Sequence, residues 1–483
     1  MIIVSSTRRS VRFAALVAAC LLLPLAQGAS LALANPPSAG RGGSFPSRTQ
    51  SQAKASLEAL ITTALSANPE LAAARSRLAA ARQRPAQAHA LPDPSLELVV
   101  RNVGFPESTI GSEMMSITGI GFTQALPATG KRPLRRAVAE QGIDVAAARI
   151  ESVRRRLIRD VATAFYELAF VTEAIRVVDE TKRLLTDLEV TAESRYAVGD
   201  GIQQDVLKAQ VEISVLLNRL IQLLQQRSSI ETHINRLLGR SPSDTVGDPE
   251  SETLPQLDLD LDALQRAAAS FSAVLTVRSE QIEHQLATVE LARKETKPDF
   301  VLGGSWIHRG ALPDMWQLNL AITLPIRKQQ RQNRAIEESL QELGARRHER
   351  ADAGLAVAER VRDSYLQVNR SVQLIALFRD GIIPQALLSL ESAMAGYSVG
   401  KVDFLTVLNN VITLLTYRLE LERQTASAMA SLAELEEHVG RTLGATPGSV
   451  WQDTQPPPAG EPAPPDASGS VAVNAISSNG ENR

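Results

Sequence analysis

One stretch of this sequence occurs twice, about 200 residues apart. Residues 196–210 read YAVGDGIQQDVLKAQ, and residues 397–411 read YSVGKVDFLTVLNNV. The identities keep one register: Tyr196 with Tyr397, Val198 with Val399, Gly199 with Gly400, Val206 with Val407 and Leu207 with Leu408. A sequence that resembles itself at a fixed period is typical of a duplicated architecture. We therefore expect two repeats, at residues 53–243 and 263–444, joined by a linker at 244–262.

Further pairs support the duplication at nearby offsets. Leu126-Pro127 matches Leu324-Pro325, and Leu238-Gly239 matches Leu443-Gly444. Each Leu-Pro pair lies between a predicted strand and a predicted helix. Because proline has no backbone N–H to donate to a neighbouring strand, it suits the end of a strand.

The N-terminus has the pattern of an export signal. Arginines at positions 8, 9 and 12 precede an apolar run at 13–25 and an Ala-x-Ala sequence at 32–34. We expect residues 1–34 to be a signal peptide. Cys20, the only cysteine of the chain, lies inside the apolar run, and a lipidated Cys20 is the alternative.

The segments next to the repeats have the composition of unstructured chain. Residues 445–483 are rich in Pro, Gly, Ser and Asn, and such a segment buries too little apolar surface to order itself. We expect a disordered tail there and a linker at 35–52.

Charge and hydropathy exclude several classes of partner. The formal net charge is −2, with acidic and basic residues interspersed, so no basic surface for nucleic acid is predicted. No segment after the signal approaches 18 consecutive apolar residues, so the sequence offers no transmembrane helix. If the chain enters a membrane, it does so as strands.

Apolar residues recur every seven positions after each copy of the motif. The first copy has two series, one at Val206, Ile213, Leu220 and Ile234 and the other at Ala209, Leu216, Leu223, Ile230 and Leu237. The second copy has them at Val407, Leu414, Leu421, Ala428 and Leu435. This spacing predicts helices that pack as coiled coils.

The helix before each motif is predicted to be long. No proline follows Pro133 before Arg195, which indicates one helix of about 60 residues and about 90 Å. Its counterpart runs from about 331 to 395, with a kink expected at Pro384. Taken alone, these helices indicate a coiled-coil rod or spacer.

Segments of alternating polarity precede each long helix. Residues 316–324 read WQLNLAITL, with apolar side chains on one face and polar ones on the other. Strands are predicted at 95–103, 115–126, 300–308 and 316–324. Gly310 and Pro313 are expected in the loop between the last two. Trp306 and Trp316 are expected at strand ends, where indole rings favour a membrane interface.

These strands have the length of tilted membrane-spanning strands. A sheet in lipid must close so that no backbone amide stays unpaired. Four strands are too few to enclose an interior, so several chains would have to share one barrel. A soluble four-stranded sheet covered by helices is the alternative.

The export signal, paired strands, long helices and Tyr-x-Val-Gly motif followed by Val-Leu together resemble the TolC-type outer-membrane efflux proteins over about residues 53–444. The resemblance implies a mainly α fold with a small β part, in two tandem repeats that each hold a β-hairpin and long coiled-coil helices. It implies a homotrimer whose chains share a 12-stranded outer-membrane β-barrel, continued by a periplasmic α-helical tunnel.

The same resemblance implies a function. The chain would be the outer-membrane exit duct of a tripartite efflux system in a Gram-negative bacterium. Its partners would be a periplasmic adaptor (membrane-fusion) protein, an inner-membrane pump of the RND type and outer-membrane lipid.

In this family the repeated motif is the turn at the periplasmic tip of the tunnel, where the adaptor docks. The matching residues are Tyr196, Val198, Gly199, Asp200, Tyr397, Val399, Gly400 and Lys401. Glycine permits the left-handed conformation of a helix end, and a carboxylate near the next helix start is favoured. We expect each turn to present Tyr, Val and Gly as an apolar surface; the alternative is that these residues only form a helical turn.

The family also closes the tip with acidic residues on the descending helix of the second repeat. The matching positions are Thr406 and Asn409, neither of which is charged, so this chain departs from the pattern. Asp205 and Asp403 lie nearby in sequence. These four residues are the candidate gate, and our hypothesis is that the two aspartates give the tip its cation preference.

Motifs for catalysis and cofactor binding are missing from the sequence. The histidines are scattered without an i, i+4 pair, and no phosphate-binding loop or nucleophile motif occurs. No enzyme, cofactor or metal site is predicted, so the energy for transport must come from a partner.

Three stretches resemble the heavy-metal resistance branch of the family: LPDPSLELVVRN (91–102), MMSITGIGFTQALPATGKRPLRR (114–136) and RGALPDMW (309–316). Heavy-metal cations are therefore the expected substrate. The alternatives are a multidrug or type I secretion channel and, in another class, a periplasmic coiled-coil scaffold protein.

Overall fold

Long helices dominate the structure because heptad-spaced apolar residues give each helix one face to bury. A computed structural model describes residues 54–250, 254–255 and 260–443. The predicted signal peptide at 1–34, the linker at 35–52 and the tail at 445–483 lie outside the described residues. Cys20 and part of the 244–262 linker do so too.

The described elements follow one order in each half of the chain. The first half contains α1 (Leu57–Ala67), α2 (Pro69–His89), β1 (Ser95–Arg101), β2 (Ile117–Leu126), α3 (Lys131–Ala197) and α4 (Gln203–Leu237). The second contains α5 (Leu261–Phe271), α6 (Ala273–Lys294), β3 (Asp299–Arg309), β4 (Leu312–Thr323), α7 (Gln332–Ala376), α8 (Ile383–Ser398) and α9 (Phe404–Val439). The prediction of a mainly helical fold with a small β part is confirmed.

Capping side chains fix the points at which short helices begin. Between α1 and α2, Asn68 Oδ1 accepts the N–H of Glu70 at 2.8 Å and of Leu71 at 3.1 Å. Its Nδ2 donates to the carbonyl of Leu237 at 2.9 Å, which ties this corner to the end of α4. Such a side chain replaces bonds that the first turn of a helix lacks.

A π-helical segment, Leu377–Ile382, connects α7 to α8 and lies directly before Pro384. Proline lacks an N–H and its ring crowds the carbonyl four residues earlier, here that of Asp380. The wider π-helical turn leaves room for that carbonyl beside the proline ring, so the chain stays helical from α7 through α8. The sequence predicts a kink at Pro384, and the structure has a π-helical segment next to it.

The four strands form one antiparallel sheet in the order β1-β2-β3-β4. The pair β2–β3 joins the two halves of the chain, with Leu126 opposite Phe300 and Thr118 opposite His308. The strands β1 and β4 are the two edges.

All four strands have bounds that differ from the predictions at 95–103, 115–126, 300–308 and 316–324. β1 ends at Arg101 because Asn102 adopts a φ of +50°, outside the extended region. β2 begins only at Ile117, because Ser116 Oγ donates to the carbonyl of Asn102 at 2.6 Å within the connecting loop.

The last hairpin is tighter than predicted. β3 covers the predicted 300–308 with one more residue at each end, and β4 begins at Leu312, so Pro313 lies in a strand and not in the loop. An edge strand tolerates proline because one of its sides needs no donor. Trp316 lies inside β4, opposite Trp306 inside β3, so the expectation that both tryptophans end their strands is wrong.

The core follows the helices. Phe165, Val161 and Leu168 of α3 are buried in a cluster that also includes residues of α1, α4, α8 and α9. In α4 the series Ala209, Leu216, Leu223, Ile230 and Leu237 is buried, whereas Val206, Ile213 and Leu220 are half-buried against the same cluster. A smaller cluster joins α5, α6, α7 and α9.

The sheet, in contrast, exposes apolar side chains. Large exposed residues on β1 and β4 include Leu96, Leu98, Trp316, Leu318, Leu320 and Ile322. Within the described ranges no helix is both long enough and apolar enough to cross a membrane.

Candidate functional site

The first copy of the repeated motif ends α3 in a Schellman turn. Gly199 adopts a φ of +83°, and its N–H donates to the carbonyl of Tyr196 at 3.1 Å. The N–H of Asp200 donates to the carbonyl of Arg195 at 3.0 Å. These two bonds satisfy carbonyls that a helix end leaves free.

The second copy ends α8 in the same way. Gly400 adopts a φ of +71°, its N–H donates to the carbonyl of Tyr397 at 3.1 Å, and that of Lys401 donates to the carbonyl of Gly396 at 2.9 Å. Both glycines therefore hold the left-handed conformation that the sequence predicts.

The two turns differ in what they expose. Val198 and Val399 are 73% and 65% exposed, and Tyr196 is 49% exposed, whereas Tyr397 is only 5% exposed. The expectation that each turn presents its tyrosine is therefore wrong for Tyr397. Its ring packs edge-on against the buried Phe404, with 5.7 Å between the ring centres.

The side chain of Arg195 connects the two turns. Its Nη1 donates to the carbonyl of Tyr397, and its Nη2 donates to the carbonyl of Asp200 at 3.3 Å. The guanidinium carbon also lies 4.8 Å from the centre of the Tyr397 ring, within cation–π range. One cation thus binds a carbonyl from each helix end and fixes the turns relative to each other.

The candidate gate residues lie beside this bridge. Asp205 is in the first turn of α4 and is half-buried, and Asp403 is the residue that precedes α9 and is exposed. Burial raises the pKa of Asp205, and the negative charge of Asp403 raises it further, while Arg195 opposes both. The same environment acts on Tyr397, whose pKa is raised by burial and by the charge of Asp205.

The other two gate candidates lie on α9. Thr406 Oγ1 donates to Asp403 Oδ1 across the first turn of the helix, and both Thr406 and Asn409 are exposed. Three of the four candidates are thus coupled by charge or by a hydrogen bond. Asn409 lies further along the same helix.

Sequence reasoning missed Arg195 and Phe404. The position that matches Arg195 in the second copy is Gly396, where a Cβ would lie 2.5 Å from Val402 Cγ2. Only the first copy therefore has room for a long side chain at this position. The sequence did contain a signal for this asymmetry: an arginine directly precedes the motif in the first copy, whereas a glycine does so in the second.

The Leu-Pro boundary in the first half is fixed by a buried cation. Lys131, the first residue of α3, is 1% exposed and forms ion pairs of 2.9 Å with both Glu295 and Asp299. Arg135 Nη2 pairs with Glu295 at 2.7 Å. Burial would raise the pKa of Glu295, but hydrogen bonds from Lys131 and Arg135 outweigh it and hold that pKa below its usual value.

Comparisons with known proteins decide the family. The family model described as "Outer membrane efflux protein" matches residues 60–240 and 254–441, which span both tip turns and the whole sheet. This chain belongs to the outer membrane efflux protein family. Proteins of this family are channels and not enzymes.

Some individual relatives are named for metal resistance and others for drug export. The chain is 22% identical to the cobalt-zinc-cadmium resistance protein CzcC of Cupriavidus metallidurans over 387 residues, which cover 80% of this chain and 90% of that protein. It is 24% identical to the toxin and drug export protein A of Aggregatibacter actinomycetemcomitans over 32% of this chain and 34% of the relative.

Among solved structures, the fold is similar to that of the CmeC outer membrane channel of Campylobacter jejuni. The TM-score is 0.68 and the identity 12%, over 86% of this chain and 96% of CmeC. The arrangement of long helices and four strands is therefore that of a known channel fold.

Proposed function

We propose that this protein is the outer-membrane exit duct of a tripartite efflux system. The observation that carries the proposal is the family match over both halves of the chain, from α1 to α9. In this role substrate passes from an inner-membrane pump of the RND type, through a periplasmic adaptor, into the duct and out of the cell.

A homotrimer is the assembly that this role requires. The sheet of one chain has two open edges, β1 and β4, and exposes apolar side chains on both edge strands. Three such sheets, paired edge to edge, would close a 12-stranded barrel and leave no unpaired amide in lipid. The long helices would continue the barrel as a tunnel into the periplasm. The two tandem repeats would each supply one hairpin of strands and one pair of long helices to this assembly.

The two turns are proposed as docking sites for the adaptor. Val198, Val399 and Tyr196 supply exposed apolar surface, and Asp200 and Lys401 are exposed beside the two glycines. Tyr397 supports its turn from inside instead. A partner that presents a helical hairpin would bind such a small apolar surface with a polar rim.

Asp205 and Asp403, with Thr406 and Asn409 next to them, are proposed to line the gate. Two carboxylates that repel each other at the tip favour cations in the passage. If neutralising both aspartates leaves the cation selectivity of single channels unchanged, this assignment is wrong.

Heavy-metal cations are the proposed substrate. The similarity to the cobalt-zinc-cadmium resistance protein over most of both chains supports this choice. Among the described residues no group of three or more His, Cys, Asp or Glu side chains converges on a metal-sized site. In the proposed system the pump and adaptor would select the metal and the duct would carry it. A multidrug or type I secretion duct is the second candidate, favoured by the shorter match to a drug export protein.

Two experiments separate these functions. The trimer reconstituted in planar bilayers is expected to form pores, whereas a periplasmic scaffold would remain a soluble rod without conductance. A gene deletion should sensitise cells to graded heavy metals but not to dyes or antibiotics. Sensitivity to drugs alone would support the second candidate, and sensitivity to neither would contradict efflux.

A further inference from the structure

A groove of about 1000 Å³ lies where β3 and β4 meet the end of α6 and the start of α7. Apolar residues form much of its lining: Leu291, Ala292, Leu324, Pro325 and Ile326. Its two carboxylates, Glu295 and Asp299, already form ion pairs with Lys131, and Glu295 also pairs with Arg135. The proposed duct function assigns no role to this groove.

Cations surround the groove without a carboxylate to neutralise them. Arg327 and Arg331 line it with Lys297, Lys328 lies next to them in sequence, and all four are exposed. None of the four forms an ion pair with an acidic side chain in the described part of the chain. The turn that carries three of them is ordered, since the N–H of Arg331 donates to the carbonyl of Arg327 at 3.1 Å.

The corresponding connection in the first half carries no such charge. It runs from Pro127 to Gly130 without a cation, and the cation that follows it, Lys131, is buried and paired. The second connection is longer, from Pro325 to Arg331, and its additional residues bring the unpaired cations. The charge is therefore a feature of one half and not a requirement of the strand-to-helix boundary.

An apolar stripe leads from β4 to these cations. Alternate residues of the strand and its extension are exposed, with Leu318 at 85% and Ile326 at 87%, and Trp316, Leu320, Ile322 and Leu324 belong to the same stripe. The stripe ends where Arg327 begins. Apolar surface that changes to unpaired Lys and Arg over a few residues is typical of the passage from the hydrocarbon core to the headgroups of a bilayer.

The unpaired arginines indicate what an occupant of the groove would offer. Gln332 also lines the groove, but its Oε1 has almost no accessible surface and so does not face the occupant. Arginine guanidinium groups bind phosphate oxygens through charge-assisted bonds.

We propose that this groove binds an anionic phospholipid, namely phosphatidylglycerol, in the periplasmic leaflet of the outer membrane. Arg327 and Arg331 hold the phosphate, and the acyl chains follow the stripe on β4. The inference rests on the proposed function, because it requires β4 to lie in the outer membrane.

The test measures the lipid preference of the full chain purified as a trimer in detergent. Phosphatidylglycerol or phosphatidylethanolamine is added and bound lipid is counted by native mass spectrometry. We expect about tenfold tighter binding of phosphatidylglycerol, which corresponds to about 1.4 kcal/mol, because the unpaired cations attract a headgroup that carries a net negative charge. The variant R327Q/K328Q/R331Q should lose this preference.

Matched variants make the test specific. R77Q/K208Q/R240Q removes three exposed cations from α2, α4 and the loop after α4, and should keep the tenfold preference. R327K/R331K keeps the positive charge and should retain most of the lipid preference. This variant tests the proposal even if the triple variant fails to fold. Inorganic phosphate should not compete at millimolar concentration, because it lacks the acyl chains.

Several outcomes would overturn the proposal. Equal binding of the two lipids would do so, and so would a preference that survives in the triple variant or one that free phosphate abolishes. Dissociation of the triple variant into monomers without lipid would assign the cations to the contact between subunits. Conductance in planar bilayers, measured on the same preparation, separates the lipid site from the proposed function. Pores without a lipid preference would contradict the lipid site, whereas the absence of pores would contradict the duct.

Discussion

Arg195 and Tyr397, which lie on the two different tip turns, are joined by a hydrogen bond from the guanidinium to the carbonyl and by a cation–π contact of 4.8 Å. The repeated motif is therefore not two independent turns. One charged side chain from the end of α3 holds the end of α8, and the ring it covers is part of the buried support of α9.

Replacing Arg195 by alanine should loosen the tip. The variant removes the charged donor from the carbonyls of Tyr397 and Asp200, of which the first keeps only the N–H of Gly400, and a charged hydrogen bond contributes about 1.5–3 kcal/mol. We expect single channels with a larger open probability and a tip that trypsin cleaves faster. The control is R183A, which removes an exposed arginine from the same helix that pairs only locally with Asp179. Equal behaviour of the two variants would show that the bridge does not restrain the tip.

Tyr397 should act through its ring and not through its hydroxyl. The hydroxyl oxygen is buried without a hydrogen-bond partner in the described structure, so Y397F should keep or slightly raise the thermal midpoint. Y397A removes a buried aromatic ring and should cost about 3 kcal/mol or more. The measurement is thermal unfolding of the purified trimer. A Y397F variant as unstable as Y397A would contradict the buried role of the ring and indicate a role for the hydroxyl.

The two tip glycines should respond differently from a glycine inside a helix. G199A and G400A force alanine into a left-handed conformation, which costs about 1 kcal/mol. At Gly400 the new Cβ would also lie 3.3 Å from Arg195 Nη2, whereas at Gly199 no described atom lies within 4 Å. G400A should therefore destabilise more than G199A.

The control for these glycines is G344A in the interior of α7. A Cβ there meets no described atom within 4 Å, and alanine favours a helix over glycine by about 0.5–1 kcal/mol. This variant should raise the thermal midpoint while both tip variants lower it. A tip variant that gains stability like G344A would contradict the left-handed conformation of these turns.

The gate should titrate at a higher pH than an isolated aspartate. Because burial and the charge of Asp403 raise the pKa of Asp205 above its usual range, its ionised form is disfavoured in the folded protein. The resulting loss of stability is present above the folded pKa and is relieved as the pH falls through the folded pKa towards that of an unfolded aspartate. Cation selectivity, in contrast, should fall in that same window as the carboxylate becomes neutral.

Single-channel reversal potentials at stepped pH measure this titration. In D403N the selectivity midpoint should move to lower pH, because one source of repulsion is removed, and in D205N this titration should disappear. A midpoint that is unchanged in D403N would mean that the two carboxylates do not interact.

How much the sequence predicted depends on the kind of pattern. Heptad spacing predicted the long helices and which side of α4 is buried, because a seven-residue period leaves one face apolar whatever its partner. The glycines of the two motifs predicted their left-handed turns, because few other residues adopt that conformation. The ends of strands were predicted less accurately. β1 is shorter than predicted because Asn102 adopts a positive φ, which the alternation of polar and apolar residues does not encode.

The sequence by itself determined the helical architecture, the approximate positions of the four strands and the two tip turns, since these depend on local periodicity and on glycine and proline. Only the tertiary structure decided that Tyr397 is buried while Tyr196 is exposed, and that Arg195 bridges the turns. Two similar motifs receive different surroundings when α8 and α9 pack against α3. Burial and charge pairing are properties of those surroundings, so they do not follow from a motif alone.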